Sequence, residues 1–471
     1  MVGAPLKHIV FLAGPSGSHL GAAMIFNARL INKFPNAYIS LYTITSCVVQ
    51  AGKYLGMHSE SVRERLRIVV SDVQPATPLP TDAILAIEKG FNEWILKQID
   101  TTPFDTGKHT VAPPSCIIED FIHGGIGLME QERHKLTVVP WWPGAAGAML
   151  AQLGNEENGN GSRLSDRMWE AMSRQKAGDE KPFEELYKAE LSDRVIHVPG
   201  LPPFYEHETV TQFLPQEPIV IEACTSAFSR PLKPFCIGPA LDLPPAPAAK
   251  PDSTDEFLDK AYAELGPRSV IYMAFGGFFF PLPESAHHLE IIIDQIVAQG
   301  FRLVFSLSSP FAHLDQSIKD KITKGGNVIL PSWANQLKVL EHPATHYFIS
   351  HGGWNSTAEA ILRGVPIIFW PFALDQTTNA AHVAKNLDCG FELIQVRTGP
   401  AKSKAYPDIL ITGSDEAVRE EINNVLEMSK GAKGLQQRLN MKALGQIMRK
   451  SIQKGGSGDR ALEELGHAIG F

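Results

Sequence analysis

Two stretches of the chain set polar side chains among glycines in patterns that could do chemistry. The first is Ala13-Gly14-Pro15-Ser16-Gly17-Ser18-His19-Leu20-Gly21. It lacks the Gly-Lys-Ser/Thr ending of a phosphate-binding P-loop and the Gly-x-Ser-x-Gly spacing of a nucleophile elbow. What remains is His19, just before an expected helix with Ala23, Phe26, Leu30 and Ile31 on one face. The positive end of a helix dipole disfavours imidazolium, so a ring placed there is expected to be neutral and able to accept a proton. Taken alone, His19 reads as a solvated loop histidine. The run Ser115-Cys116-Ile117-Ile118-Glu119-Asp120-Phe121 changes that, because it brings Asp120 to the carboxyl end of an expected strand. A carboxylate bonded to the other ring nitrogen would fix the tautomer and stabilise the imidazolium formed on proton uptake. Glu119 is the rival for this role, and a helix cap or surface carboxylate is the plain alternative for Asp120.

The second stretch begins at Trp333-Ala334-Asn335-Gln336 and runs through residues 346–376. His346–Ser350 reads as a buried strand, Gly352-Gly353 as a tight turn, and Asn355 to Arg363 as a helix stopped by Gly364 and Pro366. A strand, a glycine turn and a helix start leave free backbone N–H groups and a positive dipole end, which together make an anion site. His351, Asn355 and Ser356 add side-chain donors. Glu359, one turn into the helix, could accept two ribose hydroxyls. A bare Gly-Gly turn is usually only a tight connection, but here Trp333, Gln336, Glu359, Asp375 and Gln376 fall in the same stretch.

This second stretch resembles the donor-binding signature of the UDP-glycosyltransferases of plants, animals and fungi. The matching residues are Trp333, Ala334, Gln336, Leu340, His342, Phe348, His351, Gly353, Trp354, Asn355, Ser356, Glu359, Gly364, Val365, Pro366, Trp370, Pro371, Asp375 and Gln376. The resemblance implies that Trp333 stacks on uracil and the Ala334 backbone binds its edge. It implies that Glu359 holds ribose, that His351, Asn355 and Ser356 hold the diphosphate, and that Trp354, Asp375 and Gln376 face the sugar. Asn335 stands where the family usually has proline, and Gly352 where plant members often have cysteine. The run Ile271–Gly277 resembles a further strand and turn of the family, with Gly277 in place of a phosphate-binding serine but its backbone N–H retained. His19 and Asp120 match, more loosely, the family's catalytic histidine and its aspartate. Val198–Pro202 and Cys236–Pro239 resemble further family turns.

The elements needed to hold these residues are legible as apolar runs. Strands are expected at Tyr38–Ile44, Leu66–Val70, Ser115–Ile118, Leu136–Pro140, Ser269–Phe275, Arg302–Leu307, Asn327–Leu330, His346–Ser350 and Pro366–Trp370. Near-continuous apolar strands separated by helices indicate parallel sheets covered on both faces. The chain of 471 residues is too long for one ordinary core. Four prolines in Leu243–Pro251 suggest a linker, and Gly154–Ser162 reads as a mobile polar loop. The expected fold class is α/β, two doubly wound Rossmann-like domains facing across a cleft, which the resemblance implies is the GT-B fold. The expected divisions are an acceptor-binding domain over 1–240, a linker over 241–255, a UDP-sugar-binding domain over 256–445, and a C-terminal helix over 446–471 packing back on the first domain.

A net charge of −8 argues against nucleic acid or anionic membrane as a main partner. No apolar run is long enough for a transmembrane helix. The run His8–Ala13 is expected to belong to the fold rather than to a secretory signal, since no cleavage site follows it. The five cysteines lack CxxC spacing, which suits a reducing cytoplasm and offers no zinc site. A monomer is expected. So is the absence of any cofactor or metal at the site, with UDP-sugar as co-substrate, because no Asp-x-Asp occurs to bridge a metal to the diphosphate.

The reaction these readings imply is an inverting transfer of a sugar, glucose being the expected one, from a UDP-sugar to a hydroxyl of a small lipophilic acceptor. His19 would serve as the general base. The alternatives are a sugar-nucleotide epimerase, which needs no acceptor, and a non-catalytic nucleotide-sugar-binding protein, which needs no base. Trp141, Trp142 and Phe121 are candidate acceptor lining, with core packing the equal alternative for the tryptophans.

Overall fold

The first sheet takes its central strands from two largely apolar runs. Leu6–Leu12 (β1) and Ala37–Thr43 (β2) are buried along almost their whole length, as strands covered on both faces must be. The computed structural model describes residues 4–77, 80–100, 103–154, 192–198, 200–209, 234–240, 252–277 and 279–471, with scattered residues between 167 and 186. The proline-rich segment 243–251 and nearly all of the polar loop after Gly154 lie outside the described residues.

Leu66–Val70 (β3), Phe104–Asp105 (β4), Thr110–Asp120 (β5) and Thr137–Trp141 (β6) complete the first sheet. Its order is β3-β2-β1-β5, with β4 antiparallel to the start of β5 and β6 parallel to its end. β5 is longer than the expected Ser115–Ile118 and includes Pro113 and Pro114. The prolines are accommodated where the β1–β5 register shifts, between Leu6 and Ile9, so the missing N–H groups fall at an irregularity rather than in a regular ladder.

A small antiparallel pair, Val195–Ile196 (β7) and Phe204–Tyr205 (β8), follows. The second sheet contains Val270–Ala274 (β9), Arg302–Ser306 (β10), Val328–Ile329 (β11), Thr345–Ser350 (β12), Ile367–Phe369 (β13) and Gly390–Glu392 (β14). It is parallel throughout, in the order β11-β10-β9-β12-β13-β14. Lys404–Ala405 (β15) and Ile409–Leu410 (β16) form a hairpin outside it.

Both orders reverse direction once. In the first sheet the chain leaves β1 toward β2 and β3, then returns to the other side of β1 as β5. In the second it leaves β9 toward β10 and β11, then returns beside β9 as β12. Loops at such a reversal diverge and leave a crevice at the carboxyl edge of the strands, which is where ligands bind in open α/β sheets. Each sheet therefore supplies one crevice, between β1 and β5 and between β9 and β12.

The last helix, Ser457–Ala468, returns to the first sheet. Leu462, Leu465 and Ile469 join the core containing Ile9, Phe11 and Phe26. Lys33 donates to Asp459 at 2.8 Å, and Gly466 lies so close to the Phe34 ring that a Cβ there would overlap it.

The segment around β7 and β8 is bound to the second half of the chain. Glu208 is almost fully buried. It accepts from Arg397 at 2.8 Å and from the backbone N–H groups of Tyr205 and Tyr406 at 2.8 and 2.9 Å. Arg397 also reaches Glu392 at 2.5 Å. His207 approaches the Lys404 carbonyl at 3.0 Å, and Tyr205 donates to Asp408 at 2.8 Å. Burial opposes the charge on Arg397, but the two carboxylates outweigh it and hold the guanidinium firmly protonated. Removing one partner from such a buried pair costs about 3–5 kcal/mol, because the remaining charge and N–H groups lose their acceptor. Glu208→Ala is therefore expected to lower stability by about that amount, measured as a fall in the thermal or denaturant midpoint. An unchanged midpoint would show that this contact does not hold the structure.

Candidate active site

His19 lies inside the first turn of the helix Gly17–Lys33 rather than ahead of it. Ser16 caps that helix, its hydroxyl accepting from the His19 N–H at 3.3 Å. The side chain is 27% exposed, while Asp120, the last residue of β5, is fully buried. His19 Nδ1 stands 2.6 Å from Asp120 Oδ2. A carboxylate oxygen at this distance accepts, so Nδ1 donates, and in the neutral ring Nε2 keeps its lone pair. Gly14 makes the approach possible: a Cβ there would come within 2.8 Å of Asp120 Oδ2 and 3.2 Å of His19 Nδ1.

The expectation that the helix dipole keeps His19 readily neutral needs correction. Burial does push its pKa down, but the charge and hydrogen bond of Asp120 push it up, and Asp375 from the second half adds to them. The net direction is upward. A partial dipole charge at a helix end is outweighed by a full carboxylate at hydrogen-bond distance.

Glu119 is not the partner of His19. It alternates to the other side of β5, fully buried, and accepts from the Gly127 N–H at 2.8 Å. Burial, with Glu88 and Asp120 nearby, raises its pKa well above the usual carboxylate range. Phe121 lies beside His19, ring centroids 6.2 Å apart, and packs on Trp142 at 4.3 Å. Trp141 is core, packed edge-on against Phe11.

The second crevice is built on glycines too. Gly352 adopts φ +89°, a conformation other residues resist. Gly353 has an ordinary φ of −59° and is required for space instead, since a Cβ would lie 2.6 Å from His351 Nε2. A Cβ on Gly276 would also lie 3.0 Å from the same ring. His351 thus packs directly against two bare stretches of backbone, with the Phe279 ring centroid 5.7 Å from its own. Burial lowers its pKa to about 4, so it is neutral at physiological pH. Gly277 is exposed and has free space around it, so the missing serine is not excluded by sterics.

Gly353 opens the helix Trp354–Arg363 with no side-chain cap and no acidic residue in its first turn. The Trp354 N–H meets the Asp375 carboxylate, and the helix start as a whole favours an anion. Gly364, at φ +67°, ends the helix where the sequence indicated. Glu359 is largely buried and accepts from Gln336 Nε2 at 2.6 Å. Burial raises its pKa, and the Gln336 bond partly offsets this. The Gln336 amide also lies 3.3 Å from the Ser356 hydroxyl, so Gln336 positions both residues. Asn335 caps the short helix that begins at Gln336, accepting from Lys338 N–H at 3.3 Å, which accounts for asparagine here. Ala334 is buried, whereas Trp333 is 65% exposed, an open platform on the loop after β11.

Asp375 and Gln376 follow β13 but behave differently. Gln376 is buried, and its carbonyl accepts from the Phe372 and Ala373 N–H groups at 2.8 and 3.0 Å. Only its amide N–H remains to offer. Burial raises the pKa of Asp375. Asn379, which the sequence reading did not single out, donates to Asp375 Oδ2 at 2.8 Å and to the Gly352 carbonyl at 2.9 Å. Its spacing of four from Asp375 on a helix was the available signal. The two crevices meet where Asn355 Nδ2 donates to the Ser18 carbonyl at 3.0 Å, one residue from His19.

The His19–Asp120 contact gives a direct test. An NMR titration of the His19 ring should yield a pKa above 6.5. Asp120→Asn should shift it downward, because a charge and a charge-assisted bond are lost. An unmoved titration would show that the pair does not form.

Residues 245–396 match the family described as UDP-glucoronosyl and UDP-glucosyl transferase. The chain is 33% identical over 219 residues to anthocyanidin 3-O-glucosyltransferase 7 of Manihot esculenta, covering 46% of this chain and 72% of that protein. It is 24% identical over 449 residues to UDP-glycosyltransferase eriJ of Hericium erinaceus, covering 83% and 84%. In three dimensions it is similar to a UGT transferase from Siraitia grosvenorii in complex with UDP. That likeness has a TM-score of 0.67 at 20% identity and spans 98% of this chain and 99% of that one. Medicago truncatula UGT71G1 with UDP-glucose gives the same score at 17% identity, over 98% of each. Two doubly wound sheets with facing crevices, the matched donor segment and the identity to a family member over most of its length agree: this chain is an enzyme of the UDP-glycosyltransferase family, with the GT-B fold.

Proposed function

We propose that the protein is an inverting glucosyltransferase that moves glucose from UDP-glucose to a hydroxyl of a small lipophilic acceptor. Phenols of the kind named in its flavonoid and anthocyanidin relatives are the first class to examine. Residues 1–240 would serve the acceptor and 256–445 the donor. The observation that carries this reading is the 2.6 Å contact between His19 and Asp120, set in one crevice and linked through Ser18 to Asn355 in the other.

In the proposed reaction the acceptor oxygen attacks C1 of the sugar while His19 Nε2 takes its proton. The new C1–O bond forms as the bond from C1 to the diphosphate breaks, and UDP leaves. Asp120 stabilises the imidazolium. Attack opposite the leaving group inverts the anomeric centre. The uncapped start of Trp354–Arg363, with His351, Asn355 and Ser356, would receive the diphosphate charge, the role a metal plays in other transferases. Trp333 would stack on uracil, Glu359 would hold ribose, and the Gly277 N–H would contact phosphate. Phe121 and Trp142 would form an aromatic wall beside the base.

His19→Ala is expected to lower kcat by roughly 10²–10⁴-fold, the usual value of general-base help, with UDP affinity nearly unchanged. Retention of more than about a tenth of kcat would remove His19 as the base.

The sugar preference follows from Asp375 and Gln376. The carboxylate accepts and the remaining amide N–H donates, a pattern suited to adjacent equatorial hydroxyls. An axial 4-hydroxyl, as in galactose, would leave a polar group unpaired at a cost of about 1–3 kcal/mol. UDP-glucose is therefore expected to be used at least about tenfold better than UDP-galactose. Competition among UDP-glucose, UDP-galactose, UDP-xylose and UDP-glucuronate, read by mass spectrometry, tests this. Another preferred donor would overturn the glucose assignment while leaving the transferase reading intact.

A further inference from the structure

Away from the residues gathered around His19 and His351, three potential ligands converge where two helices begin. His287 and His288 lie in the first turn of Ala286–Ala298, and Asp415 is the first residue of Asp415–Lys430. One ligand atom from each lies within 4.8 Å of the other two. His287 Nε2 and Asp415 Oδ1 are 3.3 Å apart. Two ligands about 2.0–2.1 Å from a tetrahedral ion are themselves separated by about 3.3 Å.

An exposed His–Asp pair alone would be an ordinary surface contact worth about 0–1 kcal/mol. His288 is what distinguishes this cluster. It is only 8% exposed, and its Nε2 stands 3.1 Å from the Gly413 carbonyl oxygen. A carbonyl only accepts, so Nε2 carries the hydrogen and Nδ1 has the lone pair. Nδ1 is buried and meets no hydrogen-bond partner among the described residues. The preceding peptide is held as well, the Gly413 N–H donating to Gln395 Oε1 at 3.2 Å. A ring nitrogen oriented by a backbone carbonyl, with the opposite nitrogen left free, is the outer-shell arrangement of metal-binding histidines. The His287 ring centroid is 4.0 Å from that of His288.

We propose that His287, His288 and Asp415 bind a divalent transition-metal ion. Two imidazoles and a carboxylate suit zinc or a neighbouring first-row ion rather than magnesium or calcium, which prefer all-oxygen shells. The half-exposed His287 and Asp415 leave an open side on which water completes the coordination. The ion would tie the start of one helix to the start of the other. The proposal does not rest on the transferase reading, since none of the three residues belongs to the assembled site.

The test uses the full chain, stripped of metal with a chelator and titrated with Zn²⁺ alone by calorimetry. One ion per chain is expected to bind, and its binding should raise the thermal midpoint until chelator is restored. Co²⁺ in place of Zn²⁺ should give the intense visible bands of a four-coordinate site. His287→Ala and Asp415→Asn alter exposed side chains and should fold. Each should weaken binding by at least the roughly 10–100-fold that loss of an outer-shell partner costs, and should abolish the zinc-dependent rise in midpoint. Wild-type chain that takes up no ion, or variants that bind as tightly as wild type, would overturn the proposal.

Discussion

The site depends on side chains lying directly against backbone that carries no Cβ. Asp120 and His19 meet beside Gly14, and His351 packs against Gly276 and Gly353. Any larger residue at these positions would push a ring or a carboxylate away from the carboxyl edge of its sheet. The doubly wound topology places these glycines, because each sits in a loop next to the strand pair where its sheet reverses. Fold and chemistry are therefore joined through a small number of close contacts rather than through the loops as a whole.

Four carboxylates, two fully buried and two partly exposed, then take separate characters from their neighbours. Asp120 faces an imidazole, and the interaction raises the affinity of His19 for a proton. Glu119, one residue earlier and on the other face of the strand, accepts from the Gly127 backbone N–H among the described residues and is driven toward its neutral form. Glu359 and Asp375 are both desolvated, and each is met by a side-chain amide, from Gln336 and Asn379. Burial raises both of their pKa values, and these bonds oppose it. A hydroxyl-bearing ligand that displaced or joined these amides would find acceptors already oriented.

Most of the scaffold was legible because buried parallel strands leave apolar runs and helix ends leave glycine. Leu66–Val70 was read at its observed bounds, and Gly364 marked the end of its helix. Asp120 was the expected partner of His19, but excluding its neighbour Glu119 required the structure, since only strand alternation separates the two. β5 was read short because Pro113 and Pro114 argue against a ladder, and only the register shift shows how they fit. β14 has three residues, and β4, β7 and β8 have two each, too few to show a period. The Glu208–Arg397 pair escaped for another reason: its members lie 189 residues apart, a separation that no spacing pattern registers.

The path of the chain has a consequence for engineering. After the first sheet it runs to Glu208, which is bound to Arg397 beside the second sheet. It then returns to place the Ile237 and Pro239 carbonyls against Arg29 of the first. It crosses again to build the second sheet, and crosses back to end with Leu462 and Leu465 in the first core. The two halves are thus laced together rather than strung on one thread. A chimera made by a single splice in the proline-rich segment would inherit Glu208 from one parent and Arg397 from the other, and a closing helix fitted to the wrong core. Exchange of acceptor range between relatives would have to transplant the first sheet, the contacts of β7, β8 and Glu208, and the final helix as one matched set.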